Sequence, residues 1–137
     1  MHVVLVFRRK IFGYGFECKE EELVYESNCI RNRLDQYLLK NNVRRKCFAV
    51  KYENAGKSFR GFIGFLQENS FDFPEELEEA EIETGKYLKL GNSSVIDQVR
   101  AQLYIDRRIQ KYLDENNIKT DRMKFCSGRN LYLRIIN

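Results

Sequence analysis

The sequence predicts an α+β domain made of two β-α-β-β units in tandem, related by a pseudo-twofold axis. Three observations predict it. Arg33 to Val43 reads RLDQYLLKNNV, and about half a chain later Arg108 to Ile118 reads RIQKYLDENNI, with Arg, Tyr, Leu, Asn and Asn coinciding in order. Each copy is followed by an alternating stretch and then a short apolar run, so a whole supersecondary unit recurs. At 137 residues the chain is one domain's worth, long enough to bury most of its apolar surface but not to form two independent cores. The units span about residues 1–68 and 81–137, joined by an acidic connector over about 69–80 that holds the only proline, Pro74.

The elements follow in order. In Val3 to Lys19, rings and a thiol alternate as Phe12, Tyr14, Phe16 and Cys18, with Gly13 and Gly15 on the other side, which predicts a strand with a bulge or a close approach to its backbone. Ser27 or Asn28 caps a helix whose stripe is Ile30, Leu34, Tyr37 and Leu38, and Asn41 and Asn42 end it. Lys46 to Tyr52 and Ser58 to Leu66 form a hairpin around Asn54, Ala55 and Gly56, with Phe62 facing away from Phe59, Ile63 and Phe65. In the second unit Glu81 to Leu90 is a strand. Ser94 with Asp97 caps a long helix carrying Val99, Leu103, Ile105, Ile109, Tyr112 and Leu113, with a phase shift near Ala101 to Tyr104. Met123 to Cys126 and Leu131 to Ile136 close the fold around the turn at Ser127 to Asn130.

Composition excludes several function classes. The only histidine is His2, near a terminus, and the four cysteines, Cys18, Cys29, Cys47 and Cys126, show no CxxC spacing. No metal site, cofactor or histidine base is expected, and the thiols read as reduced, small apolar residues. The opening MHVVLVFRRK lacks a signal core, and no run approaches the roughly 18 apolar residues of a membrane span. The expected location is cytoplasmic. Net charge is +4 with mixed signs; the basic clusters Arg8 to Lys10 and Arg44 to Lys46 read as solvated faces, and nucleic acid is not an expected partner.

Two units joined edge to edge bury one sheet face under their helices and leave a groove at the seam. Rings make up 13% of the chain and fall mainly in strands. Tyr14, Phe16, Tyr52, Phe62, Tyr87, Phe125 and Tyr132 are the candidates to line that groove.

The doubled order, with Ile82, Gly85 and Tyr87 in IETGKYLKL ahead of the helix YIDRRIQKYLDENNI, resembles the GyrI-like (gyrase-inhibitor-like) effector-binding family over nearly the whole chain. The resemblance implies a curved antiparallel sheet, two main helices and a groove that binds lipophilic or aromatic molecules, in some members cations held by rings and a buried glutamate on the strand after the second helix. A carboxylate there offsets the desolvation of a cation, and ring faces add cation–π attraction. That strand reads Asp121, Arg122, Met123, Lys124, Phe125, so the glutamate is missing and Lys124 stands at about its place. An inward Lys124 suits a neutral or anionic ligand; alternatively Glu17, Glu53 or Glu83 supplies a carboxylate. The expected function is a stand-alone small-molecule-binding module with no catalytic residues. A protein-interaction module of the gyrase-inhibitor type is the alternative, and a small-molecule hydrolase ranks below both.

Overall fold

The computed structural model describes residues 2–41, 48–55, 58–66, 76–91, 107–127 and 130–137, apart from the side chains at 20, 48–49, 52–55, 107–108 and 122. Its strands are β1 (His2–Val6), β2 (Arg9–Lys19), β3 (Phe48–Ala55), β4 (Ser58–Leu66), β5 (Glu78–Ile82), β6 (Gly85–Gly91), β7 (Thr120–Ser127) and β8 (Asn130–Ile135). The helices are α1 (Leu23–Lys40) and α2 (Arg107–Glu115). Among the described residues the fold is α+β: one curled antiparallel sheet of eight strands, a half-barrel, with two α-helices. Among the described residues, no helix is long and apolar enough to cross a membrane.

Strand order is β1-β6-β8-β7-β3-β4-β2-β5, and every pairing is antiparallel. It reads the same from either edge when each strand is exchanged for the one four places along. The stretch expected as a single run from Val3 to Lys19 is two strands at opposite ends of the order, because β1 pairs with β6 and β2 with β4 and β5. Glu78 to Ala80, expected in the connector, is part of β5, and the strand expected over Glu81 to Leu90 divides at Glu83 and Thr84. Two residues, Phe7 and Arg8, carry the chain from one edge of the sheet to beside the other, and Glu83 and Thr84 do the same. A gap that short is bridged only if the sheet curls until its edges approach, since the three Cα–Cα steps from Val6 to Arg9 reach at most about 11 Å. The Arg8 amide donates to Thr84 Oγ1 at 2.8 Å, tying the two crossings together.

Helix α1 begins earlier than its expected cap. Ser27 is buried inside it, and the buried stripe starts at Leu23 and runs through Ser27, Ile30, Leu34 and Tyr37. A 3₁₀ turn at Glu20–Glu22 leads in, where acidic side chains suit the positive end of the helix dipole. The two helices end alike. Asn41 donates its side-chain amide to the Tyr37 carbonyl at 2.9 Å, and Asn116 donates to the Tyr112 carbonyl at 2.9 Å. After Asn116, Asn117 takes a left-handed φ of 52°, and Ile118 N–H reaches back to Leu113 O at 2.9 Å, closing a Schellman motif. The expected cap at Ser94 and Asp97, and Val99, Leu103 and Ile105, lie outside the described residues, as do Asn42, Gly56 and Cys47. Cys18 and Cys126 are buried and Cys29 is half-buried, and these three thiols form no disulfide among the described residues.

Alternation along the strands sorts the core into two layers. One face carries Val50, Ile63, Phe65, Leu88, Leu90, Cys126, Leu131 and Leu133, packed with the helix residues Ile30, Leu34, Tyr37 and Leu113. The other, inner face carries Ile11, Leu66, Ile82, Tyr87, Met123 and Phe125, with Val4, Val6, Phe62 and Tyr132 partly buried against them.

Candidate functional site

The inner face holds a ring array. Phe125 on β7 and Tyr132 on β8 are register partners, so both rings leave the sheet on the same side. They stack at 4.4 Å between centroids and 7° between planes. Tyr87 on β6 meets Phe125 edge-on at 5.1 Å and 75°. Such geometries align the positive edge or the offset face of one ring with the negative face of another. The Tyr87 hydroxyl donates to the Glu83 carbonyl at 2.8 Å, which fixes the ring's tilt. Burial raises the Tyr87 phenol above its ordinary value, Arg134 working against this and Glu83 and Asp121 with it, and burial alone raises that of Tyr132. Both therefore stay neutral at ordinary pH.

Beside these rings lies a cavity of about 340 Å³. Phe125, Tyr132 and Ser127 form one wall, Leu66 and Ile82 a second, and Leu5, Val6 and Phe7 a third, with Arg9 completing the lining. Val6 belongs to one edge of the sheet and Ile82 to the other, so the cavity occupies the hollow that the curl encloses. Leu5 and Phe7 are exposed, giving it an apolar rim. A smaller cavity, about 160 Å³, is lined by Lys51, Arg60, Gly61, Phe62 and Ala80.

Of the candidate residues, Tyr87, Phe125 and Tyr132 come together, and Phe62 shares their face beside the smaller cavity. Tyr14 and Phe16 do not join them. Both pack on the helix side, with the Arg33 guanidinium of α1 lying 3.8 Å from the Tyr14 ring centre and Phe16 filling the space over Gly61. The physical reason is parity: Gly13 and Gly15 take the inner positions of β2, which sends its rings outward to the helix. Tyr52 pairs in register with Lys124 and Gly61, and its side chain lies outside the described residues. Lys124 also departs from expectation. It pairs with Leu133 of the helix-side core, so it faces away from the ring array although Phe125 is its neighbour in sequence.

Burial pushes the Lys124 ammonium below its ordinary value. Between that lowered value and the unfolded value of about 10.4, the unfolded chain binds more protons, so this group makes stability rise as pH climbs through the interval. Lys124→Met should flatten the rise, seen by comparing urea midpoints of variant and parent from neutral to alkaline pH; an unchanged slope would refute the assignment.

Of the three carboxylates expected to compensate for the missing glutamate, Glu17 and Glu83 are engaged by arginines. Glu17 is exposed and pairs with Arg60 at 3.6 Å. Glu83 bonds Arg134, which also holds Asp121 through Nε at 2.9 Å. The Glu53 side chain lies outside the described residues. Among the described residues, no three of His, Cys, Asp and Glu gather as a metal-binding group. Arg9 is a functional candidate that the sequence reading missed.

No family model matches the chain, and no curated protein matches it. Solved structures do. SAV2435 bound to tetraphenylphosphonium aligns with a TM-score of 0.66 and 10% identity, covering 99% of this chain and 93% of its own. A candidate bacterial transcription regulation protein from Staphylococcus aureus MU50 aligns at 0.61 and 10%, covering 99% and 97%. An integron cassette protein from the mobile metagenome of Vibrio cholerae aligns at 0.59 and 10%, covering 98% and 95%. At that identity the likeness establishes a shared fold over almost the whole chain.

Proposed function

We propose that this chain is a non-enzymatic small-molecule-binding module of the GyrI-like kind, whose ligand lies against the Phe125 and Tyr132 rings in the hollow of the sheet. The observation that carries the reading is the cavity itself: about 340 Å³, aromatic on one wall and aliphatic on the others, on the face that the helices leave uncovered. Concavity, apolar walls and a few polar groups are what a small-ligand site needs. The tetraphenylphosphonium bound by SAV2435, which shares the fold, supports it by analogy. The symmetric strand order and the matched helix ends support two copies of one folding unit meeting about a pseudo-twofold axis. A hydrolase is disfavoured because Glu83 and Asp121, the acids near Tyr87, are both held by Arg134, which suppresses general-base character.

The test is a melting series with aromatic compounds of each charge, tetraphenylphosphonium among them. A ligand at 100 times its Kd adds about 2.7 kcal/mol to the folded state, and Tyr132→Leu should remove most of the rise. No shift with any compound would overturn the reading. A stoichiometric protein complex without ligand-dependent shifts would favour the competing reading, a protein-interaction module using the exposed Val3, Leu5 and Phe7 of the β1 edge.

A further inference from the structure

Resting on that cavity reading, we infer that the preferred ligand is an organic anion, a carboxylate on a flat aromatic body, with its head group on Arg9. Three observations carry this. The first is the lining: Arg9 is the one charged residue among the described residues that line the larger cavity. Its register partner Ile82 lines the same hollow, so the exposed guanidinium stands at the mouth.

The second is partnership. The flanking cations face acids on β5: Arg8 pairs with Glu81 at 2.8 Å, and Lys10 with Glu79 at 3.1 Å. The Arg9 side chain, between them, makes no ion pair or hydrogen bond among the described residues, and strand parity directs it to the other face. Its planar fork is free to hold a carboxylate through two N–H donors.

The third is the surrounding sign of charge. Lys51 is the register partner of Phe125, and it donates to the neutral Glu81 carbonyl at 3.1 Å; among the described residues no carboxylate pairs with it. Lys89 is the register partner of Tyr132. The described inner-face acids are engaged: Glu17 by Arg60, Asp121 by Arg134, and Glu78, at the end of β5 away from Arg9, by the Gly15 N–H at 3.1 Å. A cation entering beside Phe125 and Tyr132 would meet like charge and find no carboxylate among the described residues that line the cavity to offset its desolvation, whereas an anion gains from both terms.

The experiment uses 2-naphthoate, 2-naphthamide and 2-naphthamidine, which share a ring system and a planar head but carry charges of −1, 0 and +1. Titration of the full chain at low ionic strength should rank naphthoate tightest, about tenfold tighter than the amidine. The margin should shrink as salt is added. Arg9→Gln should collapse the preference of naphthoate over the amidine, and Lys10→Gln, on the opposite face, should preserve the order. Equal binding of all three, or tightest binding of the amidine, would overturn the anion preference while keeping the cavity as a site. Binding of none would overturn the cavity reading and the preference together.

Discussion

Gly13→Ala should unfold or nearly unfold the protein, whereas Gly15→Ala, two residues along the same strand, should be tolerated. A Cβ at Gly13 would lie inside 3.0 Å of the Ile63 carbonyl and of Gly64 Cα, atoms of the β4 backbone that have no rotamer with which to move aside. Gly13 and Gly64 are register partners, so the two strands approach most closely there, where β2 and β4 curl together. Relief requires separating them, at a cost of at least about 3 kcal/mol. That is a large share of the roughly 5–15 kcal/mol that holds a domain folded. At Gly15 the nearest atom to a Cβ is Phe62 Cδ2 at 3.5 Å, ordinary contact, so the change should cost less than about 1 kcal/mol. Urea unfolding of the two variants is the comparison. Similar midpoints would show that the curl does not depend on the glycine pair.

Phe125→Ala should cost about 3–5 kcal/mol and abolish ligand-dependent stabilisation. The ring is 3% exposed and contacts Tyr87 on one side and Tyr132 on the other. Its removal forfeits the burial and two ring pairs, each worth about 0.5–1.5 kcal/mol beyond burial. Because that change weakens the fold as well as the wall, Tyr132→Leu separates the effects: Tyr132 is partly exposed, so stability should fall less while ligand affinity still drops. Should Phe125→Ala retain the melting rise with the ligands of the parent, the ring array would not be the binding wall.

Much of the fold is legible in the sequence because its signals are local. The repeated Asn-Asn exits mark both helix ends, and the same side-chain bond to a tyrosine carbonyl four residues back explains why the words coincide. Strand alternation is equally legible in Phe12, Tyr14 and Phe16 against Gly13 and Gly15. Which face meets the helices is not, since parity separates two sets without saying where either goes. Parity does, however, rule out one expected pairing unaided: Lys124 and Phe125 are adjacent in a regular strand and cannot line the same groove. The crossing of β1 to β6 is beyond reach, because a strand's partner is set by long-range pairing that its own residues barely encode. Arg9 is hidden for that reason. In sequence it is the middle of a basic triplet, and only the β5 register shows that its neighbours are engaged and it is not.

The exchange of edge strands has one more consequence. β1 finds its hydrogen-bonding partner in the later part of the chain, and β5 finds its own in the earlier part. Cutting the molecule into its two segments would strip a border strand from each half of the one sheet at once. The two segments are interlocked through these exchanged border strands, so urea unfolding should be a single cooperative transition rather than two.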